Sequence, residues 1–471
     1  MNKTKIIATI GPASSDKDIL RDLIKNGMDV ARLNMSHSSY EFCEDIVKKI
    51  NELNKELGTN VSVMVDTKGP EIRVGKLQGN EATFKEGTKI RIYMDDILGD
   101  NTKFSIDYPN LINEIKYNTI IRIDDGKLEL EVIDKGEDYL LCEVMNDATI
   151  TSNRRFNVPG LRLKRPFLTP KDRDDIVFAS KIGVDFLALS FVSSSEDILT
   201  INDLLIELDN DHLGIIAKIE NEAALDDIDE IIRISDGVIV ARGDLGVELP
   251  MERLPGIQKN IIAKCHNAGK VSIVATELLS SMESEVRPTR AEVSDVANAV
   301  IDSVDGVILS GETTIGKYPV ETIAMMEKII ASAEMDINYL ELLDKAVRTE
   351  RQDITGLIAY SVTDCANRLR SCAIVTPTMS GYTARKMSRF RPTCPIIAVS
   401  PNIDTVKSLS LYFGVRAVLI DDLNSLDKII KQSLDITKRL LRTEPGDKVI
   451  ITGGYPFKNV KHTNFMQIEE L

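Results

Sequence analysis

Eight short apolar segments, each suited to a buried strand, recur through the first two thirds of the chain, and an amphipathic helical pattern follows most of them. Strand–helix alternation indicates a parallel sheet, and eight strands are the number that closes a (β/α)8 TIM barrel. An open doubly wound sheet is the alternative, because periodicity alone does not show closure. The predicted strands cover residues 5–10, 29–35, 61–66, 186–191, 215–220, 237–241, 271–275 and 307–310. The predicted helices include residues 16–25, 41–57, 172–181, 198–208 and 255–268.

The alternation is interrupted once, after the third strand. Residues 89–93, 121–123 and 127–132 alternate polar with apolar side chains, which is typical of antiparallel strands exposed on one face. We therefore predict a small all-β domain inserted over residues 70–166, held above the barrel as a lid. The barrel takes residues 1–69 and 167–340.

Past the barrel, a third unit is predicted over residues 341–471. Its apolar segments again alternate with helical patterns, which indicates a smaller α/β domain. The predicted strands there are residues 373–375, 395–399, 415–419 and 448–452.

The charge and the cysteines restrict the class of protein. A formal net charge of −15 argues against binding to nucleic acid or to an anionic membrane. The sequence has no apolar run long enough to cross a bilayer, and its first residues lack the apolar segment of a signal peptide. Six scattered cysteines without a CxxC pair predict reduced thiols in the cytoplasm, and argue against zinc or disulfides.

Polar side chains gather where the predicted barrel strands end. One such strand carries Lys218 and Glu220 in an otherwise apolar run, and residues two apart in a strand point the same way. Each polar end taken alone fits a helix cap or a rim ion pair, but convergence of several on one barrel face predicts an active site. The other ends are Arg32, Asn34 and Ser36; Asp66 and Thr67; Arg242, Gly243 and Asp244; Thr276; and Ser310, Gly311 and Glu312.

The residue types indicate the chemistry. Glu220 and Asp244 offer two carboxylates, which suits Mg²⁺ held together with substrate oxygens and water. Arg32 and Lys218 are cations suited to phosphate and to charge that develops in a transition state. A divalent metal with these cations points to phosphoryl or enolate chemistry. No GxxxxGK[ST] or GxGxxG loop occurs, so a nucleotide would be held by arginines, metal and the lid.

The motifs that carry these residues resemble the pyruvate kinase family over essentially the whole length. The resemblance implies transfer of the phosphoryl group of phosphoenolpyruvate to ADP, giving pyruvate and ATP in glycolysis. It also implies a homotetramer and a regulatory C-terminal domain. The matching motifs are TKIIATIGPAS (4–14), VARLNMSH (30–37), DTKGPEIR (66–73), IAKIEN (216–221), ARGDLGVE (241–248), PTRAEVSDVAN (288–298) and LSGET (309–313).

The resemblance assigns roles to single residues. By similarity, Glu220 and Asp244 hold Mg²⁺ (or Mn²⁺), and Lys218 stabilises the transferred phosphoryl group. Arg32 binds substrate phosphate, while the backbone of Gly243 and Asp244 and the Thr276 hydroxyl bind the substrate carboxylate. No proton donor to the enolate is assigned, and Thr276 or Ser310 with water are the candidates. The potassium site matches Asn34, Ser36, Asp66 and Thr67.

Further positions follow from the same resemblance. Glu71 stands where potassium-requiring members carry Glu, so a K⁺ requirement is expected. Arg73 and Arg154 match positions that contact the nucleotide, beside Asn34, Ser36 and His37. The loop of Thr378, Ser380, Gly381 and Thr383 matches the site where regulated members bind an effector phosphate, of a sugar phosphate or AMP; taken alone it fits an ordinary helix cap.

The chain departs from the family pattern at two places. After Thr276 the family usually reads Gln-Met-Leu-Glu, whereas this chain has Glu277 and, three residues on, Ser280. An added carboxylate there would weaken binding of phosphoenolpyruvate unless it is paired. In the lid, Arg155 replaces a Gly, which predicts an altered turn or an added nucleotide contact.

Two alternatives stay open at this point. One is another metal-dependent TIM-barrel enzyme acting on phosphoenolpyruvate or a keto acid, which would need no nucleotide. The other is a catalytically silent sugar-phosphate or nucleotide sensor, which would have no need for Arg32, Lys218, Glu220 and Asp244 together.

Overall fold

The computed structural model describes residues 2–349, 353–421, 425–455 and 462–471. The strands are β1 (Lys5–Thr9), β2 (Met28–Asn34), β3 (Ser62–Asp66), β4 (Ile72–Arg73), β5 (Glu81–Phe84), β6 (Lys89–Tyr93), β7 (Lys103–Ser105), β8 (Ile120–Ile123), β9 (Leu128–Lys135), β10 (Tyr139–Val144), β11 (Ala148–Thr151), β12 (Arg155–Asn157), β13 (Phe186–Val192), β14 (Gly214–Ile219), β15 (Gly237–Ala241), β16 (Val271–Ala275), β17 (Gly306–Leu309), β18 (Ala373–Pro377), β19 (Ile396–Ser400), β20 (Val415–Leu419), β21 (Lys448–Gly453) and β22 (Phe465–Glu470).

The α-helices lie between these strands and after them. They are α1 (Lys17–Lys25), α2 (Tyr40–Leu57), α3 (Leu111–Glu114), α4 (Pro170–Ile182), α5 (Ser195–Glu207), α6 (Glu222–Asp226), α7 (Ile228–Ile234), α8 (Arg242–Glu248), α9 (Leu254–Ala268), α10 (Arg290–Ile301), α11 (Gly311–Thr314), α12 (Pro319–Ala333), α13 (Tyr339–Thr349), α14 (Ile354–Leu369), α15 (Tyr382–Arg389), α16 (Ile403–Ser408) and α17 (Leu426–Leu440).

Strands β1–β3 and β13–β17 form a closed parallel barrel in the order β1-β17-β16-β15-β14-β13-β3-β2. The (β/α)8 prediction is confirmed, and the open doubly wound sheet is wrong. Every residue of β3, β15 and β16 is buried, because helices cover the outer face of each strand and the packed barrel interior covers the other. That two-sided burial is why these strands appear in the sequence as unbroken apolar runs.

Helix caps in the sequence set the starts of several barrel helices. Asp16 precedes α1 and accepts hydrogen bonds from the backbone N–H groups of Asp18 and Ile19. Thr289 and Glu292 form a reciprocal capping box at the start of α10. Such caps satisfy N–H groups that have no partner inside the helix. They fix where each strand–helix loop ends, and those loops carry the polar side chains at the mouth of the barrel.

The insert is a separate sheet with its own core. Seven strands follow the order β4-β12-β8-β9-β10-β6-β7, and β11 pairs with β5 beside them. Strand β9 alternates buried and partly exposed residues along most of its length, as predicted for an antiparallel sheet with one solvated face. Phe84 and Phe104 meet edge-on in its core, with ring centroids 5.9 Å apart.

The C-terminal sheet has five strands in the order β20-β19-β18-β21-β22. The four predicted strands are present and parallel, and β22 adds to the edge in the antiparallel direction. The sequence prediction missed β22. Within the described residues, no helix is both long and apolar enough to cross a membrane.

Buried charge joins this sheet domain to the underside of the barrel. Arg391 is fully buried and its Nη1 lies 2.8 Å from the Asp305 carboxylate at the start of β17. On the neighbouring helix α9, His266 Nε2 lies 2.7 Å from the carbonyl oxygen of Arg389. These contacts fix the C-terminal domain at the barrel end opposite the carboxyl ends of the strands.

Candidate active site

A cavity of about 140 Å³ opens at the carboxyl ends of the barrel strands, and most of the predicted site residues line it. The barrel topology brings them together from β2, β3 and β14 and from the loops after β15 and β16. Residues of the lid complete the wall. The predicted residues in this cavity are Arg32, Asn34, Ser36, His37, Asp66, Thr67, Arg73, Lys218, Glu220, Asp244 and Thr276.

Asp66 is the buried anion at the centre of the site. Its carboxylate accepts hydrogen bonds from Arg32 Nε at 2.8 Å, Ser190 Oγ at 3.0 Å and Lys218 Nζ at 3.2 Å. Burial alone would raise the pKa of Asp66, but the charges of Arg32 and Lys218 outweigh it and hold that pKa below its ordinary value. Asp66 is therefore ionised and fixes the position of both cations.

Lys218 projects from β14 between two carboxylates. Its Nζ lies 2.9 Å from Glu220 Oε1 and 2.8 Å from Ser190 Oγ, in addition to its contact with Asp66. The other oxygen of Glu220 accepts a hydrogen bond from the backbone N–H of Phe191 at 2.7 Å. Phe191 has a φ of 58°, in the left-handed region, which turns this N–H toward the cavity. Lys218 and Glu220 thus share the cavity face, as their spacing predicted.

The loop after β15 sets Gly243 against Thr276. Asp244 lies in the first turn of α8, and the backbone N–H of Gly243 donates to Thr276 Oγ1 at 2.8 Å. Arg242 anchors the other side of this contact, because its Nη2 donates to the Thr276 carbonyl oxygen at 2.5 Å. Thr276 has a φ of 70°, a left-handed conformation that these bonds stabilise.

Oxygen atoms from the ends of β2 and β3 meet at one side of the cavity. Asn34 and Asp66 are paired across the two strands, and Asn34 Oδ1 accepts from the backbone N–H of Ser36 at 3.0 Å. The Thr67 carbonyl oxygen lies 2.7 Å from Ser190 Oγ. The four residues predicted as the potassium site therefore lie together. The atoms that they could offer to a cation are oxygens, the ligand type that hard cations prefer.

A wider cleft of about 1260 Å³ lies between the lid and the barrel, next to the cavity. Gly243 and Arg154, the remaining predicted substrate and nucleotide residues, line this cleft together with His37 and Arg73. Arg154 is about half exposed, and its Nε donates to Thr151 Oγ1 at 2.7 Å. Glu277 also lines the cleft and is exposed, so water solvates the carboxylate that departs from the family pattern.

The cavity wall also holds Ser190, which was not predicted, and Glu71 and Arg155, which the family resemblance singled out without assigning them to the site. Ser190 contacts both Asp66 and Lys218, yet a serine in an apolar strand gives no signal of this in the sequence. Glu71 is buried and accepts from Arg73 Nε at 2.8 Å and Arg155 Nη2 at 2.9 Å. Arg155 also forms an ion pair with Asp244.

The structure does not bear out the altered turn that was one of the two expectations for Arg155. It opens strand β12 and pairs in register with Arg73 of β4, so no turn is formed there. Its side chain instead reaches into the cavity wall.

The predicted effector loop precedes helix α15. Gly381 caps this helix with a φ of 77°, and its N–H donates to Thr378 Oγ1 at 3.0 Å. The Ser380 carbonyl oxygen accepts from Arg385 at 2.8 Å. Thr383 is buried, with its hydroxyl 3.0 Å from that of Thr463. The four residues lie together, and two of the three hydroxyl groups have protein partners.

The cavity suits a divalent cation that keeps open positions for substrate and water. Glu220 and Asp244 are the carboxylates predicted to hold it, and within the described part of the chain no group of three or more His, Cys, Asp and Glu side chains gathers as a metal site. Mg²⁺ is commonly held by one or two carboxylates, with substrate oxygens and water completing its six positions. The donor set therefore fits Mg²⁺.

Two family models match the chain. The model described as pyruvate kinase, barrel domain, matches residues 1–323, and that described as pyruvate kinase, alpha/beta domain, matches residues 357–469. The pyruvate kinase of Geobacillus stearothermophilus is 42% identical over 99% of this chain and 80% of its own length. That of Clostridium perfringens is 40% identical over 100% of both chains. The crystal structure of a pyruvate kinase from Cryptosporidium parvum superposes with a TM-score of 0.95, at 36% identity, over 100% of this chain and 96% of that one.

Proposed function

The chain belongs to the pyruvate kinase family of phosphotransferases, and on that premise we propose that the 140 Å³ cavity is where phosphoenolpyruvate gives its phosphoryl group to ADP. The observation that carries this assignment is the placement of Lys218 and Arg32 around the buried carboxylate of Asp66. Neither alternative, an enzyme that needs no nucleotide or a silent sensor, is favoured by this membership.

The family is metal-dependent, and Mg²⁺ (or Mn²⁺) is the proposed divalent ion, with Glu220 and Asp244 as its protein ligands. When bound, it would neutralise phosphoryl oxygens and polarise them for transfer. Glu220 is buried and its second oxygen is fixed by the Phe191 N–H at 2.7 Å, which leaves its orientation set in advance. A preorganised ligand loses little freedom when the ion arrives.

Lys218 and Arg32 supply fixed positive charge to the substrate phosphoryl group. Their side chains are 14% and 11% exposed, so their charges act in a site with little water. Hydrogen bonds to Asp66 fix the positions of both cations, so that these cations stay in place while the phosphoryl group is transferred. Closing the lid would remove further water and strengthen these interactions.

The backbone of Gly243 and Asp244 and the Thr276 hydroxyl are proposed to bind the substrate carboxylate. The Gly243 N–H donates to Thr276 Oγ1 at 2.8 Å, and that hydroxyl donates to the Ala275 carbonyl oxygen at 2.6 Å, so an incoming carboxylate would take both donors from these acceptors. The proton donor to the enolate is left unassigned, with Thr276 and Ser310 at the cavity wall as candidates.

A monovalent cation, K⁺, is proposed at Asn34, Ser36, Asp66 and Thr67. The support is the oxygen-only donor set, with Asn34 and Asp66 paired across β2 and β3. The nucleotide is proposed to lie in the wider cleft, against Arg73, Arg154 and the segment from Asn34 to His37. The lid arginines there supply the charge that a phosphate chain needs.

The remaining assignments concern the whole chain. We propose a barrel of residues 1–69 and 167–340, a lid of 70–166 and a regulatory domain of 341–471 whose Thr378–Thr383 loop binds a sugar phosphate or AMP. A homotetramer is supported by exposed apolar side chains on successive helices, which mark interaction surfaces. These are Leu340 and Val347 on α13 and Ile354 and Leu357 on α14. Six free cysteines support a cytoplasmic location.

The test of the site is Lys218→Met, which removes the central cation with little change of volume. Turnover of phosphoenolpyruvate and ADP is expected to fall by about 10³-fold, while Mn²⁺ binding survives, because the metal carboxylates remain. Steady-state kinetics and electron paramagnetic resonance of Mn²⁺ measure the two properties. The matched control is Lys85→Met, an exposed lysine of the lid paired with Asp147 that lines neither the cavity nor the cleft, and it is expected to keep normal turnover. Near-normal turnover of Lys218→Met would remove Lys218 from the mechanism.

A further inference from the structure

Arg155 is a lid residue whose guanidinium reaches the barrel. It forms an ion pair with Asp244, its Nη2 lies 2.9 Å from Glu71 Oε1, and it lies over the Phe191 ring at 5.2 Å from the centroid. Asp244 lies on α8 of the barrel and Arg155 on β12 of the lid. The contact therefore spans the two domains at the proposed catalytic cavity.

The ion pair with Asp244 bears on metal binding. Asp244 is one of the two carboxylates proposed to hold Mg²⁺, so a cation already neutralises it before any metal arrives. A guanidinium and a divalent ion cannot both take the full charge of one carboxylate. Any metal that binds at Asp244 has to displace, or share the carboxylate with, Arg155.

We propose that Arg155 competes with the divalent cation for Asp244, so that the lid contact at this carboxylate weakens metal binding and metal binding weakens the lid contact. The proposal rests on the function proposed above, because it takes Asp244 as a metal ligand. Arg155 is here a positioning residue that sets metal affinity, and no step of the reaction is assigned to it.

The surroundings of Arg155 allow the exchange at low cost. Its backbone is held in the lid sheet by β4 and β8, so only the side chain needs to move. Its side chain is 27% exposed, and that of its second partner, Glu71, is only 3% exposed. Glu71 therefore keeps the guanidinium near the cavity after Asp244 is released. There it faces the space that anionic substrates enter.

The competing explanation is that Arg155 only holds the lid against the barrel. A second lid arginine, Arg122, makes a contact of that kind and serves for comparison. Arg122 of β8 donates from Nη1 to the Val247 carbonyl oxygen of α8 at 2.5 Å, and its Nε lies 2.7 Å from Glu129. It joins the same lid to the same barrel helix without touching a proposed metal ligand. Removing Arg122 therefore loosens the lid and leaves the partner of Asp244 in place.

The experiment titrates Mn²⁺ into the substrate-free full chain with K⁺ present, and reads bound metal by electron paramagnetic resonance. Arg155→Met is expected to bind Mn²⁺ about tenfold more tightly than wild type, because the displaced charge-assisted hydrogen bond is absent. Arg155→Gln, which keeps a polar side chain without charge, is expected to behave in the same way. Circular dichroism checks that each variant is folded.

Three controls separate the explanations. Arg122→Met is expected to leave Mn²⁺ affinity within about twofold of wild type, since it removes only a lid contact. Arg154→Met removes a neighbouring lid charge that pairs with Asp124, and the same small change is expected. Asp244→Asn is expected to weaken Mn²⁺ binding at least tenfold, since it removes a charged ligand.

Each outcome decides a different point. Unchanged or weaker Mn²⁺ binding in Arg155→Met and Arg155→Gln, with Asp244→Asn still weakened, would overturn the competition and leave the proposed function standing. Equal gains from Arg122→Met and Arg155→Met would also overturn it, because lid release alone would then explain the gain. Unaltered binding in Asp244→Asn would overturn the metal assignment and the competition together.

Discussion

At the scale of single residues, one hydroxyl group organises the cationic site. Ser190 Oγ accepts a hydrogen bond from Lys218 Nζ at 2.8 Å and lies 3.0 Å from Asp66 and 2.7 Å from the Thr67 carbonyl oxygen. It therefore touches a proposed phosphoryl-binding cation and two residues of the proposed K⁺ site. The residue is buried, so water cannot take its place without rearrangement.

Ser190→Ala is expected to lower kcat about tenfold with a smaller change in KM, because Lys218 remains but loses one of the contacts that orient it. The split between kcat and KM distinguishes positioning from substrate binding. Ser62→Ala is the matched control: Ser62 is a buried barrel serine whose hydroxyl donates to the Lys407 carbonyl oxygen, far from the cavity. That variant should lose stability and keep its kcat. Equal kcat losses in both variants would show that the effect is only structural.

Much of the site could be predicted from single residues, but Ser190 and the partners of Arg155 could not. Lys218 and Glu220 stood out because charge in an apolar strand needs a partner, and their spacing of two places them on one face. Ser190 carries no such signal, since a serine hydroxyl finds a hydrogen-bond partner in almost any environment. The partners of Arg155 depend on how the lid packs over the barrel, and Asp244 lies 89 residues away along the chain. No local pattern encodes that contact.

At the scale of elements, the barrel strands leave no room for added atoms. Gly237 opens β15, and a Cβ built there would meet the Val271 carbonyl oxygen at 2.6 Å and the Val271 Cβ at 2.7 Å. Both contacts lie inside normal van der Waals separation and involve the neighbouring strand β16. The glycine permits the close approach of these two strands.

Gly237→Ala is therefore expected to destabilise the chain by about 1–3 kcal/mol, as overpacked cores do. Gly256→Ala is the matched control in helix α9, where an added Cβ meets no atom within 4 Å. Alanine there is expected to stabilise the helix by about 0.5–1 kcal/mol, because glycine gives up more freedom on folding. Denaturant unfolding followed by circular dichroism measures both. A Gly237→Ala variant as stable as wild type would show that the strand contact relaxes freely.

The contact between His266 of α9 and the C-terminal domain is expected to weaken at acid pH. Burial, reinforced by the charge of Arg391, lowers the pKa of His266 from 6.5 to about 4. The folded chain keeps His266 neutral, whereas the unfolded chain protonates it more readily. The neutral histidine therefore contributes stability that is fully present above pH 6.5 and is lost as the pH falls through about 4. The loss across that window is about 3 kcal/mol.

His266→Gln is expected to unfold with a smaller drop in midpoint between pH 7 and pH 4.5 than the wild type, since glutamine does not take up a proton. The exposed His212 supplies the control, and His212→Gln should retain the wild-type drop. Thermal unfolding at the two pH values measures the difference. The same drop in all three proteins would mean that His266 does not set the acid sensitivity.

Element prediction succeeded for the barrel strands, which are buried on both faces, and for three of the lid strands, which alternate polar with apolar residues. The predicted bounds 237–241, 271–275 and 89–93 coincide with β15, β16 and β6, because apolar runs and period-two alternation mark those strands directly. Six lid strands were missed: β4, β7 and β12 have two or three residues and cannot show a period, whereas β5, β10 and β11 are longer and were not recognised. Strand β22 was missed as well; along it, partly exposed residues alternate with fully exposed ones.

At the scale of the whole molecule, the three domains meet at the two ends of one barrel. The lid contacts the carboxyl ends of the strands through Arg155 and Arg122. The C-terminal domain contacts the other end, where Arg391 pairs with Asp305 and the Arg389 carbonyl oxygen lies against His266. The predicted catalytic and effector regions therefore lie on opposite sides of the same closed sheet. Closure itself could not be predicted from periodicity, because it depends on the pairing of β1 with β17, whose residues are about 300 positions apart.

The most direct test of the proposed function is pyruvate formation from phosphoenolpyruvate and ADP by the full chain, with Mg²⁺ present or absent and with K⁺ present or replaced by a large organic cation. We expect turnover that requires Mg²⁺ and that falls sharply without K⁺, as the Glu71 position and the oxygen donors of Asn34, Ser36, Asp66 and Thr67 predict. Full turnover without K⁺ would contradict the potassium site alone. No pyruvate with both ions, even after sugar phosphates or AMP are added, would contradict the central claim that this cavity transfers the phosphoryl group.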